Sequence, residues 1–262
     1  MKSEYYKMKQ VFQEKYEIQP RDIQHNQQLS LVRLIDYLNE IAGSHSKSFG
    51  YPLKSLFEQG YSWILLYWNI QINELPLLRE QINIETWISQ TKRCFAYREF
   101  IIKNNNNQII AKASSQWLFY DIKKKKPAKI FQEFSNQQII KPEKACEQSI
   151  LNAAILKQPS SENLSNNIIV QKKDIDILNH VHNSKYIDWV LSVKPEEIKL
   201  QYKLNQLQIL YHHEIKYPGE IILKQKLFPF KKDARLLVYD AIWDKNNQRL
   251  SAEIATQWDF IN

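Results

Sequence analysis

The chain has 262 residues, 44% apolar and 24% charged, a globular composition with room for one large domain or two of about 130 residues. Only 4 glycines are present and neither GxGxxG nor GxxxxGK occurs, which excludes a Rossmann or Walker phosphate loop, while the 2 cysteines, Cys94 and Cys146, exclude a disulfide framework or a Cys-rich zinc site and fit a reduced, intracellular setting. The formal charge of +8 at pH 7 points to an acidic partner (nucleic acid, anionic lipid or an acidic protein), although the Lys, Asn, Ile and Gln bias also resembles that of an AT-rich genome.

The N-terminal stretch MKSEYYKMKQVFQEKY lacks the apolar core of a signal peptide. No stretch reaches the ~18 apolar residues of a membrane span, and the longest, Trp63 to Trp68, is far shorter. These features predict a soluble, cytoplasmic protein. An extended segment is expected around Tyr16–Ile18. A helix follows, because Leu31, Leu34, Ile35, Leu38, Ile41 and Ala42 recur at helical spacing behind Ser30, a suitable N-cap. Ile82–Ile88 is rich in β-formers and partly alternates, Asn104–Asn107 reads as a hairpin turn, and ASSQWLF reads as a strand. From Phe131 to Asn167 the chain is polar and strand-poor, with Pro142 and Pro159, and is expected to be a linker. A second extended segment lies near Ile168–Val170. Ile187, Val190 and Leu191 then form a helical stripe, with Asn183 as the expected cap and Pro195 as the stop. Leu207, Ile209, Tyr211, His213, Ile215 and Tyr217 alternate with polar neighbours, so a strand is expected to carry Glu214. Lys245-Asn246-Asn247 reads as a turn, and IATQWDF as the closing strand.

The two halves repeat one pattern. Arg21-Asp22-Ile23 lines up with Lys173-Asp174-Ile175. Continued without a gap, Leu29 meets Val181, Arg33 meets Lys185, Ile35 meets Ile187, Asp36 meets Asp188 and Leu38 meets Val190. Gln116-Trp117 later matches Gln257-Trp258. An apolar helix followed by antiparallel strands must bury that helix against the sheet. The expected fold is therefore α+β, a tandem (double) hotdog in which each half is a central helix wrapped by an antiparallel sheet. The expected boundaries are 1–130 for the first hotdog, 131–167 for the linker and 168–262 for the second.

The halves differ where chemistry would sit. Asp176 falls opposite Gln24 and His180 opposite Gln28, while Glu214 has no clear acidic counterpart. Four of the six histidines lie between His180 and His213. The segment from Asp174 to Asn183 leads into a helix, whose N-terminus offers unpaired N–H groups and partial positive charge. Such a segment can be a polar loop that caps the helix, or a site where Asp176 and His180 handle protons beside a carbonyl polarised by the helix.

DIDILNHVHNSKYIDWVL resembles the second-hotdog signature of acyl-acyl carrier protein (acyl-ACP) thioesterases, DxDxNxHVNNxKYxxW. QHNQQLSLVRLIDYLNEIAGSHS, Gly60–Leu65, Phe95–Phe100 and Tyr211–Glu214 are similar to other segments of that family, and the ordered set covers about residues 14–262. The resemblance implies hydrolysis of fatty acyl-ACP to free fatty acid and ACP, ending fatty acid synthesis. It implies Asp176, His180 and Glu214 as catalytic residues, with Asn179 beside them and Val181–His182 at the helix N-terminus against the substrate carbonyl. The acyl chain would lie in the first half, near Leu38, Trp63, Leu65 and Trp117. The implied partner is ACP bearing a phosphopantetheine-linked acyl chain. No cofactor and no metal are expected. Three positions depart from the pattern. Leu178 stands where the signature has Asn, so that Asn179 takes over its task or the activity is weakened. His182 replaces an Asn. Ile215 occupies the position of a Cys in the plant enzymes, which leaves water as the attacking group.

Other readings stand beside this one. His180 and His182 with His212, His213 and Glu214 would suit zinc, but His212 and His213 would point to opposite faces of a strand. A hydratase would need Asp and His five apart in a DxNPxH pattern. An acyl-CoA thioesterase shares the chemistry and differs in the carrier, and a non-catalytic acyl-binding module would share the fold. The runs Lys123–Lys126, Lys172-Lys173 and Lys231-Lys232 lack the interleaved aromatics of a base-stacking surface, so no nucleic acid is expected, and they read as solvated faces of which some could receive ACP. Free sheet edges could still pair two chains into a homodimer.

Overall fold

The computed structural model describes residues 10–135, 141–146, 149–151, 163–176, 179–230 and 235–261. Leu178, Lys231, Lys232 and much of the expected linker lie outside the described residues. The chain forms two compact units, Met1–Leu66 with Asn73–Glu147, and Tyr67–Ile72 with Gln148–Asn262.

In the first unit, β1 (Phe12–Glu17) leads through a 3-10 turn (Pro20–Asp22) to α1 (Leu31–Ser48) and the short α2 (Leu53–Glu58). The strands are β2 (Tyr61–Ile72, its first half), β3 (Gln81–Lys92), β4 (Phe95–Asn104), β5 (Ile109–Asp121) and β6 (Lys126–Pro127). They pair antiparallel in the order β1-β3-β4-β5, with β6 added to β5. α1 starts where its sequence predicts, since Ser30 Oγ accepts a hydrogen bond from Arg33 N at 3.2 Å. It ends at Gly50, whose φ of +89° suits glycine and whose N–H closes the last turn on Lys47 O. The stripe Leu31, Leu34, Ile35, Leu38, Ile41 and Ala42 is buried, and α1 packs on β3. Each fully buried Leu or Ile contributes roughly 1.5–3 kcal/mol, so this stripe is the main reason the helix is held on the sheet.

The second unit repeats the plan with β7 (Asn163–Ile169), a 3-10 turn (Lys172–Asp174), α3 (Asn183–Ser192) and α4 (Glu196–Gln201). Its strands are β8 (Tyr202–Tyr211), β9 (Glu220–Phe230), β10 (Arg235–Asp244) and β11 (Arg249–Phe260), ordered β8-β11-β10-β9-β7. Tyr67–Gln71 pair with β8. Ile187 and Val190 are fully buried on α3. Each unit is thus one central helix on an antiparallel sheet, the hotdog arrangement.

The duplication extends to single bonds. Ser30 N donates to Asp22 O at 2.8 Å, and His182 N to Asp174 O at 2.8 Å. Gln24 N reaches Gln28 O at 2.9 Å, and Asp176 N reaches His180 O at 2.8 Å. Gln27 and Asn179 share a positive φ, +62° and +61°. Arg33 pairs with Asp36 at 2.9 Å, Lys185 with Asp188 at 3.1 Å. Trp117 Nε1 donates to Ser115 Oγ at 2.8 Å, and Trp258 Nε1 to Thr256 Oγ1 at 2.9 Å.

Three local expectations change. β7 begins at Asn163, inside the stretch expected to be linker. Its residues alternate between half-buried and exposed from Leu164 to Ile169, and it pairs with β9, so a strand with one open face needs few apolar residues. The N-cap of α3 is His182, the position opposite Ser30, and Asn183 is the first helical residue. The strand expected to carry Glu214 stops at Tyr211. Ser251 O accepts from both His212 N (2.8 Å) and His213 N (3.2 Å), and Ile215 O is taken by Val181 N at 2.8 Å. Two successive N–H groups converge on one carbonyl of β11 and the Ile215 carbonyl pairs with the loop before α3, so the ladder ends and the chain leaves the sheet. The two hairpin turns form as expected: Asn104 Oδ1 accepts from Asn106 N and Gln108 N, and Asp244 Oδ1 from Asn246 N and Asn247 N.

Asp22 is fully buried and accepts from Tyr37 Oη at 2.6 Å, Gln19 N at 2.9 Å and Arg33 Nε at 3.0 Å. Burial alone would raise its pKa, but these donors and the Arg33 charge outweigh it and hold the carboxyl below its ordinary value. Asp22→Ala should lower stability by ~2–4 kcal/mol, since it strips three donors of their acceptor. A folded pKa below the unfolded one stabilises above about pH 4, and this contribution is lost as pH falls through the folded value. Melting curves of Asp22→Asn should therefore show a flatter acid limb than wild type, and parallel limbs would contradict this role.

Candidate active site

The sequence-predicted residues Asp176, Asn179 and His180 lie in the loop between the Lys172–Asp174 turn and α3. Asp174 is buried and its Oδ2 accepts from Gln171 N at 2.9 Å, which fixes the start of the loop. A bridge between Ile175 and Val181 closes it. Within it, Asp176 Oδ1 accepts from His180 N at 3.1 Å. Asn179 takes the left-handed conformation that Asn tolerates, and its Nδ2 lies 3.4 Å from Tyr217 O. Val181 is buried, and His182 stands at the N-cap position of α3, its Nδ1 2.9 Å from Ser184 Oγ.

The segment after β8 closes on this loop. A bridge joins His180 to Lys216. His180 Nε2 lies 3.1 Å from Glu214 Oε2, and Lys216 Nζ lies 3.2 Å from Glu214 Oε1. The His180 side chain is 29% exposed and that of Glu214 53%. Both partners therefore remain reachable by water. An ionised carboxylate only accepts, so the ring form that suits this approach carries its proton on His180 Nε2.

Tyr186, on α3, supports the arrangement from below. Its hydroxyl accepts from Ile215 N at 3.2 Å and its ring meets Tyr211 edge-on at 5.3 Å. Tyr211 Oη donates to Asn183 O at 2.9 Å. Burial pushes the Tyr186 phenol well up; the charges of Glu214, Asp244 and Asp176 add to this, against the opposing Ile215 N–H. Burial, then Tyr186, does the same for Tyr211. Both stay neutral hydrogen-bonding groups. Sequence reasoning left Tyr186 and Lys216 out of the site. Tyr186 had a signal, as the Tyr of the KYxxW segment; Lys216 had none.

The structure thus gathers Asp176, Asn179, His180 and Glu214, with Val181 and His182 at the helix start. The four residues expected along the acyl chain belong to the first unit. Leu38 and Leu65 are buried there. Trp63 packs with Phe119 and Phe134, at 4.8 and 5.6 Å between ring centres. Trp117 is half-buried and tied to Ser115. Among the described residues no group of three or more His, Cys, Asp or Glu is placed to hold a metal ion, and His212 turns instead to Glu253 at 2.7 Å.

The acyl-ACP thioesterase N-terminal domain matches residues 9–138, and the acyl-ACP thioesterase C-terminal domain matches residues 157–259. The chain belongs to the acyl-ACP thioesterase family. It is similar to a chloroplast acyl-[acyl-carrier-protein] hydrolase of Cuphea viscosissima, 22% identical over 78% of this chain and 52% of that protein. The chain spans about half the length of the curated relatives it matches. Among solved structures, it resembles a candidate oleoyl thioesterase of Lactobacillus plantarum (TM-score 0.85, 21% identity, 96% of this chain and 97% of that one). It also resembles the 12:0-ACP thioesterase of Umbellularia californica (TM-score 0.79, 16% identity, 96% and 95%). These likenesses show the double-hotdog fold. Within this thioesterase-family chain, Glu214 is held through Ile215 and Tyr186. Tyr186→Phe strands the Ile215 N–H, at a cost of ~1–3 kcal/mol. Amide exchange at Ile215 should then speed up about tenfold or more while β10 and β11 keep their protection; unchanged exchange would remove Tyr186 from the support of this loop.

Proposed function

We propose that the protein is a cytoplasmic hydrolase of fatty acyl-ACP thioesters, in which residues 168–262 carry the catalytic group and residues 1–130 receive the acyl chain. The observation that carries this reading is the 3.1 Å contact of His180 with Glu214 in a loop that also holds Asp176, directly before the N-terminus of α3. Family membership supplies the substrate class.

Glu214 orients His180 with the proton on Nε2. Nδ1 takes a proton from water as the water oxygen bonds to the thioester carbon and the carbonyl electrons move onto oxygen. That oxyanion forms near the first turn of α3, where one N–H donor is worth ~3 kcal/mol in rate. Collapse restores the carbonyl and expels the thiolate of the carrier arm, which takes the proton back from His180. Asp176, fixed by the His180 N–H, accepts a hydrogen bond from the attacking water. Proton handling of this kind contributes roughly 10²–10⁴-fold.

Asp176→Asn keeps the size and the His180 N–H acceptor, so its effect reads the charge alone. Turnover of acyl-ACP should fall by ~10²-fold or more with the melting curve unchanged. Wild-type turnover in this variant would remove Asp176 from the mechanism. No release of fatty acid from acyl-ACP by the wild-type protein would sink the reading.

The exposed lysines Lys172, Lys173 and Lys216 lie in the unit that holds the candidate site. If they receive an acidic carrier, KM for acyl-ACP should rise with salt more steeply than KM for acyl-CoA, because exposed charges are screened beyond ~8–10 Å at 0.1–0.15 M salt. Parallel salt dependences would leave the +8 charge without a carrier-binding role.

A further inference from the structure

The histidine pair after β8 is a motif that the hydrolytic site does not absorb. His213 is exposed. His212 is engaged: its Nε2 lies 2.7 Å from Glu253 Oε2 on β11, and Tyr239 Oη on β10 donates to Glu253 Oε1 at 2.5 Å. One carboxylate thus ties the end of β8 to two further strands, using one oxygen for each partner. Burial, then the hydrogen bond to Glu253, pushes the Tyr239 phenol up, so it remains a donor.

We propose that Glu253, with Tyr239 and His212, forms a positioning unit that holds Glu214 against His180. The inference rests on the hydrolytic reading above. The segment bearing Glu214 is fastened at both ends. At one end Ser251 O accepts the N–H groups of His212 and His213, and the His212 side chain is locked by Glu253 and Tyr239. At the other end Ile215 donates to Tyr186 Oη and accepts from Val181 N. Glu214 sits between these fastenings, half exposed, and its own contacts are to His180 and Lys216. An exposed ion pair is weak on its own. Glu214 therefore owes its place to the backbone, and the backbone is fixed by the two clamps. Glu253, Tyr239 and His212 are positioning residues that act through Glu214. A displacement of about 1 Å at a reacting group costs up to ~10²-fold in rate, which gives a distant carboxylate a large lever.

The test measures acyl-ACP hydrolysis, melting, and the ring resonances of His180 by histidine side-chain NMR in the full chain. Glu253→Ala should lower kcat about tenfold with KM within ~twofold and the melting temperature nearly unchanged. Glu253→Gln, which can keep both contacts, should stay within ~threefold of wild type in kcat. Tyr239→Phe should act in the direction of Glu253→Ala with a smaller effect, and it decides the matter where Glu253→Ala does not fold. In each weakened variant the His180 resonances should move as they do in Glu214→Gln. Unmoved His180 resonances, or a wild-type kcat in Glu253→Ala or Tyr239→Phe, overturn the proposal. An inactive wild-type protein would refute the hydrolytic reading separately, because the resonances still report whether the clamp holds Glu214 on His180.

Discussion

Asp22 and Asp174 close the turn that leads into each central helix, and each unit is arranged around that closure. The carboxylate accepts from the N–H three residues back, Gln19 N or Gln171 N, while the same residue's carbonyl accepts from the N-cap, Ser30 N or His182 N. In each unit three polar backbone groups beside the start of the helix are satisfied in this way. The helix can then lay its apolar stripe on the sheet. The loop between carboxylate and cap is left with a fixed path and little freedom in its backbone.

A loop with a fixed path is a place where side chains can change without loss of the fold. In the first unit its positions are Gln24 and Gln28, bridged to Leu77; in the second they are Asp176 and His180, bridged to Lys216. The backbone bonds are the same to within about 0.1 Å in the pairs that can be compared. The two loops therefore share a backbone path and differ in a few side chains. Glu214 completes the set because the neighbouring segment departs from its sheet and reaches the loop.

Much of this was legible in the sequence. The apolar stripe of α1, the Ser30 cap, both hairpin turns and the repeat itself follow from local chemistry, which the chain carries in its own periodicity and turn residues. That Asp176, His180 and Glu214 come together was legible through the family signature. What escaped notice depends on tertiary bonds. Nothing in the alternation from Leu207 to Tyr217 tells that Ser251 O will take two N–H groups and end β8 at Tyr211. His212 and His213 suggested a metal through their grouping with His180, His182 and Glu214, and the strand expected there argued against it. The contact of His212 with Glu253 joins positions far apart in the chain, and no spacing rule connects them. The cap at His182 shows the opposite case: the gapless match to Ser30 contained the answer, and the local preference for Asn hid it.

The carboxylates themselves divide by how many donors the fold gives them. A carboxylate has about four acceptor sites. Asp22 fills three with Tyr37, Gln19 and Arg33, and Glu99 fills three with Ser89, Ser114 and Ala145 N, both out of contact with solvent. Asp240, also buried, accepts from Lys194 and Gln225; burial opposes the charge on both Asp240 and Lys194. Such groups are committed to structure, since burial without those donors would be costly. Glu214 differs. Its partners are two cations or potential cations at its rim, and half of its side-chain surface remains open to water. It keeps room for one more hydrogen bond, and Lys216 offsets part of the charge without covering it. Placing that one carboxylate at the edge of the sheet, beyond the end of β8, gives the second unit an ionised group that is held by its backbone and still accessible. A position inside the ladder would have turned its side chain to a packed face or to open solvent, away from His180.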